Sequence, residues 1–170
     1  MQLIWIDLET TGLDPRNDCP LEIGMMISQN GQLLEPEYSQ VITPRWDLEG
    51  MSDFVLNMHM NSGLLKDVEN YGASIGLTES EAIGWLDRMA FAGPYTMAGS
   101  SVHFDRAFLQ VHMPRLAKLF SHRLFDVSAI KLFCQSLGMP ELPKANAHRA
   151  IDDIKESFGH YEQCRKWLGH

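Results

Sequence analysis

Hydrophobic and polar positions change period several times along the chain, and each change predicts an element. Residues 2–8 alternate and are rich in Ile, Leu and Trp, while residues 21–28 form a second short apolar run; both read as β-strands. Asn30-Gly31 is a hairpin signal, so residues 32–43 read as a third strand, irregular or at an edge because Pro36 lacks a ladder donor. The opening therefore predicts an antiparallel meander. Over residues 47–70 the apolar spacing turns helical, with a break at Ser62-Gly63. Thr78-Glu79-Ser80-Glu81 has the form of a capping box and predicts the start of a helix through Ile83, Leu86 and Met89 that stops near Gly93-Pro94. A short strand at residues 95–98, a helix at 103–113, a strand at 124–127 and a helix at 128–137 follow, then a loop at 138–143 and a last helix at 147–168. Leading strands followed by strands separated by helices predict an α/β fold, a mixed five-stranded sheet flanked by helices.

Composition bounds what such a fold can do. The chain has 170 residues, 45% of them hydrophobic, which suits a single domain over residues 1–170 with one core. The run Met1 to Ile6 meets Asp7 at once, leaving neither a basic leader nor an apolar span, so no membrane association and a cytoplasmic location are expected. Cys19, Cys134 and Cys164 lie far apart with no metal-binding or disulfide spacing, and read as reduced thiols that serve packing. A formal net charge of -8 excludes the broad basic face with which proteins grip long nucleic acid. If nucleic acid is bound, a small pocket holding a few nucleotides fits this balance better.

The acidic residues supply the candidate chemistry. Asp7 and Glu9 close the first strand two residues apart, so both project from the same face. Paired carboxylates repel each other and resist desolvation, which makes a cation their natural partner; the plainer alternative is a strand end emerging into solvent. Asp105 falls where a small-residue loop enters a helix, and there it either joins such a site or merely complements the helix dipole. In the last helix Ala147, Ala150, Ile151, Ile154, Phe158 and Tyr161 share a stripe; at about 100° per residue Asp153 stands beside it and Asp152 points to solvent. His148 precedes Asp153 by five positions, so on a continuous helix the two would diverge. To share a site His148 must sit on the first turn or in the loop before it, for which Asn146-Ala147 after Pro140 and Pro143 leaves room. Otherwise it is a surface or capping residue.

Taken together, these positions resemble the DEDDh exonuclease superfamily. Asp7 and Glu9 match its first motif, Asp105 its second, and His148 with Asp153 its third. Within it, Trp5-Ile6-Asp7-Leu8-Glu9-Thr10-Thr11-Gly12-Leu13-Asp14-Pro15, Asp105-Arg106-Ala107-Phe108, Asp126-Val127-Ser128 and the run from Ala147 to Ser157 look like oligoribonuclease, a resemblance that covers nearly the whole chain. It implies a ribonuclease H-like fold and 3′-to-5′ hydrolysis of short single-stranded RNA, down to dinucleotides, to nucleoside 5′-monophosphates. Two divalent ions, Mg²⁺ or Mn²⁺, are implied on Asp7, Glu9, Asp105 and Asp153, with His148 as general base. By the same match Ser101, Arg123 and Ser128 form a cap on the 5′ phosphate, Leu13 wedges between bases, and Phe54 stacks in the place of a customary tryptophan. Without the match, Arg123 reads as a surface residue, Ser128 as a helix N-cap, and Leu13 and Phe54 as core. The family forms homodimers in which a tyrosine reaches the neighbouring site; His122 stands in its place, and Ser100 replaces a customary asparagine. Thr10-Thr11-Gly12 also resembles proofreading DNA exonucleases, so a more general single-strand trimmer is a second expectation, and a non-catalytic binder of short oligonucleotides a third.

Overall fold

The computed structural model describes residues 1–44, 50–90, 92–143 and 147–169. Strands β1 (Gln2–Thr10), β2 (Pro20–Gln29) and β3 (Gln32–Val41) form the expected antiparallel meander. Its tight turn places Asn30 and Gly31 at φ 54° and 79°, a backbone region these two residues enter most easily. Strands β4 (Tyr95–Gly99) and β5 (Phe120–Asp126) then add in parallel on the far side of β1, giving the five-stranded order β3-β2-β1-β4-β5. Pro36 lies on the edge strand β3, where a missing N–H interrupts no central ladder.

Around the sheet stand α1 (Asp53–Asn61), α2 (Leu64–Tyr71), α3 (Ile75–Met89), α4 (His103–His112), α5 (Pro114–Ala117), α6 (Val127–Ser136) and α7 (Ala150–Trp167). Alternation along β1 divides its side chains between two cores. Ile4, Ile6 and Leu8 join Trp85, Leu86, Phe108 and Leu109 on one face, while Leu3 and Trp5 join Val127, Ile151 and Ile154 on the other. Trp5 meets the edge of Phe158 at 5.3 Å and donates its indole N–H to Ser28 Oγ at 2.8 Å, so neither its ring nor its polar atom is left uncompensated. Burying each such side chain stabilises by about 1.5–3 kcal/mol. A one-residue slip of β1 would exchange the two sets and turn Asp7 and Glu9 into the opposite core, so the packing of both faces fixes where the acids point.

Several boundaries differ from the sequence pattern. The Thr78-Glu79-Ser80-Glu81 signature does not begin a helix. Instead α3 starts one turn earlier, capped by Ser74, whose hydroxyl accepts from Leu77 N at 3.4 Å. Ile75 packs on the core and draws the helix upstream, and Glu79 is spent on Arg115 at 2.8 Å. The last helix begins at Ala150 and not at Ala147, because His148 stands at φ 52° and Arg149 is extended. Strand β5 starts at Phe120, four residues ahead of the expected Leu124, since Phe120 is buried with the core and Tyr95 N bonds Leu119 O beside it. The break at Ser62-Gly63 is present, with Gly63 at φ 76°. The expected helical onset at Asp47 and the role given to Asn146 lie outside the described residues. Cys19, Cys134 and Cys164 are buried and form no disulfide, as expected of packing thiols. Among the described residues, no helix is long and apolar enough to cross a membrane.

Candidate active site

The acids meet where β1 leaves its ladder. Pairing with β2 is regular to Glu9 and shifts between Glu9 and Thr10. Asp105, in the first turn of α4, is buried, and its Oδ1 accepts the backbone N–H of Leu8 at 2.9 Å. That bond docks α4 on the amide between Asp7 and Glu9. Asp153 lies beside the buried stripe of α7 and hydrogen-bonds Glu9, while Asp152 is exposed. His148 precedes the helix, outside its geometry, as the angular argument required. Glu9, His148 and Asp153 each offer a ligand atom, all within 4.8 Å of one another. Asp7, His148 and Asp153 line a cleft of about 320 Å³ together with Ser100, Ser101 and Ser128.

Burial opposes ionisation of each of these carboxyls. Glu9 is pushed up to about 8, first by burial and then by the charge and hydrogen bond of Asp153, with Arg149 opposing. Asp105 is pushed up to about 7 by burial, against the pull of the amide N–H groups of Asp105 and Leu8. Asp7 rises well above the usual carboxylate range through burial and then through Asp105, Glu9 and Asp153. Asp153 rises by burial, offset by Glu9 and His148. Converging acids whose ionisation burial opposes are suited to a divalent cation, which can balance their charge.

The residues expected to hold substrate divide into two groups. Ser101, at φ 55°, and Ser128 share a hydrogen bond at 3.1 Å between hydroxyls. Both backbone N–H groups donate to Asp126 Oδ1, at 3.0 and 2.9 Å. Asp126 is thereby the N-cap of α6, and Ser128 is not. Ser100 takes the place of the customary asparagine and bonds Ser157 on α7 at 2.8 Å. Leu13 and Phe54 are not core residues, being 82% and 76% exposed. Phe54 lines a second hollow that shares His148 with the cleft. Leu13 rides on a turn braced by Asp18, which accepts from Asp14 N and the Thr11 hydroxyl. Arg123 and His122 are exposed on β5 and are not among the residues lining the cleft.

A buried ion-pair network escaped the sequence reading. Glu22 on β2 is 2% exposed and accepts from Ala150 N at 3.0 Å and from the Arg149 guanidinium, which also reaches Asp67 on α2 at 2.8 Å. It anchors the first turn of α7, and so the spacing of His148 and Asp153, to the central sheet. A lone Glu between Leu21 and Ile23 in an apolar strand was the available signal.

Solved structures similar in fold include the zinc-bound Escherichia coli exonuclease I complex with single-stranded DNA (TM-score 0.72, 13% identity, 95% of this chain and 39% of that one). Cell-death related nuclease 4 is similar as well (TM-score 0.69, 12% identity, 97% of this chain and 64% of that one). This chain thus spans about two fifths of exonuclease I, and at such identities the likeness is one of fold, the ribonuclease H-like α/β fold of DEDD exonucleases. Residues 4–161 match the RNase T family model, described as exonuclease, and the chain belongs to that family. Its curated relatives are oligoribonucleases. That of Alcanivorax borkumensis is 36% identical over 92% of this chain and 89% of its own length, and the mitochondrial oligoribonuclease of Mus musculus 34% identical over 92% and 69%.

Proposed function

We propose that this chain is a 3′-to-5′ exoribonuclease that degrades short single-stranded RNA, down to dinucleotides, to nucleoside 5′-monophosphates with two divalent ions, Mg²⁺ or Mn²⁺. The observation that carries the proposal is the clustering of Glu9 and Asp153 with His148, with Asp7 lining the same cleft and Asp105 bonded from α4 to the Leu8 amide beside Asp7. Such ions, when bound, neutralise charge on a scissile phosphate and acidify an attacking water. The four carboxylates would hold them. His148, at a backbone position just outside α7 where its ring reaches the acids, would accept a proton from the attacking water at a ring nitrogen.

Ser101 and Ser128 present their hydroxyls in the same cleft and receive the 5′ phosphate, and Arg123, exposed on β5 outside the cleft lining, swings in to add forked charge-assisted bonds. Leu13 and Phe54 flank the bases; a ring so exposed beside His148 is available for stacking. Closed between the acids and the serines, the cleft suits very short strands. The working unit is a homodimer. Exposed Leu132 and Phe133 on α6 and Leu137 at its C-terminal cap, just after the strand that carries His122 and Arg123, give a second copy an apolar surface to cover. Three buried thiols outside any disulfide are consistent with a reducing, cytoplasmic setting.

A matched set of 5′-labelled RNA and DNA oligonucleotides, from dinucleotides upward and digested with Mg²⁺, tests the reading. RNA dinucleotides are expected to be cleaved fastest. Their accumulation as end products would contradict the short-RNA assignment and favour a general trimming exonuclease.

A further inference from the structure

We propose that His59 is a positioning residue that holds the bulged end of β1 and thereby aims the carboxylate of Glu9. The inference rests on the reading of Glu9 as a metal ligand. His59 is the buried residue of α1, and none of it reaches solvent. Its Nε2 lies 2.9 Å from the carbonyl oxygen of Thr10; a carbonyl only accepts, so Nε2 carries the hydrogen. Thr10 is the residue at which β1 falls out of register with β2. Bulges bend a strand and re-aim its side chains, and here a histidine from another element secures the displaced carbonyl.

The second ring nitrogen points the same way. Nδ1 stands 3.8 Å from Glu9 Oε2 and, among the described residues, is a buried polar atom without a hydrogen bond. A leucine or phenylalanine could dock α1 without burying an unpaired nitrogen, so packing alone does not account for the residue. With its hydrogen on Nε2 the ring presents a lone pair at Nδ1 and cannot donate to an ionised Glu9, so it steadies that carboxylate through the end of β1 it holds and not by a direct bond. The same helix carries Phe54, Asn57 and Met58 along the hollow that borders His148. One side chain therefore sets both the base-facing helix and the metal-facing acid against the end of β1.

The test is a double-mutant cycle read by calorimetry of Mn²⁺ binding, with melting temperature and circular dichroism recorded for each protein. His59→Leu removes both nitrogens, and His59→Gln keeps a donor for Thr10. His59→Leu is expected to weaken Mn²⁺ binding about 10- to 100-fold and His59→Gln to restore part of the loss. In a Glu9→Gln background the leucine substitution is expected to change Mn²⁺ affinity less than about twofold, because coupled residues do not add. Wild-type Mn²⁺ affinity in His59→Leu, or equal losses in both backgrounds, overturns the assignment. If Glu9→Gln alone binds Mn²⁺ like the wild type, the metal reading of Glu9 is what falls. Should His59→Leu fail to fold, wild-type protein labelled with ¹⁵N at histidine decides: the His59 nitrogen resonances are expected to move on Mg²⁺ saturation, and unmoved resonances refute the proposal.

Discussion

A carboxyl group taken out of water keeps either a proton or a cation, and Glu9 shows the choice most plainly. Only 7% exposed and hydrogen-bonded to Asp153, it holds its proton to about 8 when no ion is present. Asp153 and Asp152 are adjacent in sequence, yet only Asp153 faces this acid, because one helical step of about 100° separates them. Asp153→Asn is therefore expected to lower Mg²⁺-dependent turnover of an RNA dinucleotide by more than about a hundredfold, against less than about twofold for Asp152→Asn. Initial rates with both variants, checked for equal melting temperature, decide this. The distinction between these two residues was legible in the chain, since helical periodicity is a local property. The contact of Asp105 with Leu8 was not, for it joins residues 97 positions apart. Nor was the pairing of Ser101 with Ser128, which depends on Asp126 accepting from both backbones.

At the scale of elements, the position of α7 matters more than its length. Glu22 accepts the first free N–H of the helix and pairs with Arg149, while Gly24 leaves no room for a side chain: a Cβ there would lie 2.9 Å from the carbonyl carbon of Ala150. Glu22→Ala leaves a guanidinium and a buried amide without their acceptor and is expected to cost about 3–5 kcal/mol, the usual range for breaking one side of a buried pair. Urea unfolding of the two proteins measures it. Turnover is expected to fall as well, because the start of α7 carries His148 and Asp153. Elements governed by short-range rules, such as the Asn30-Gly31 hairpin and the Ser62-Gly63 break, were readable in advance. Those governed by what a residue touches were not. The capping-box letters at Thr78 were overridden when Ile75 found the core and Glu79 found Arg115. The last helix yielded its first three expected residues to the bond between Ala150 and Glu22.

For the molecule as a whole, two strand pairings of opposite sense bring the site together. The meander was foreseeable from its turn and the mixed sheet from strands separated by helices, whereas the strand order, with β4 and β5 on the side of β1 away from β2, was not read from the chain. That order puts the loop after β4 and the start of α4 beside the end of β1, and so gathers acids scattered from Asp7 to Asp153. The cluster also makes stability depend on pH. Glu9 and Asp105 are raised from 4.5 to about 8 and from 3.8 to about 7, so between these limits the folded state binds more protons than the unfolded one. Their contribution is full below about pH 4 and is lost as pH rises through 7 and 8. The melting temperature in EDTA is accordingly expected to fall from pH 5 to pH 9, and saturating Mg²⁺ to reverse most of that fall by binding the native state alone. A flat profile in EDTA would mean that the carboxyls are not held together as described. The most direct test of the central claim is the release of mononucleotide from an RNA dinucleotide by Asp105→Asn in Mg²⁺. The amide oxygen can still accept from Leu8 N, so the account predicts a folded protein whose melting temperature in EDTA at pH 5 matches the wild type and whose turnover in Mg²⁺ is reduced more than about a hundredfold. A folded variant that turns over within a few fold of the wild type would contradict it.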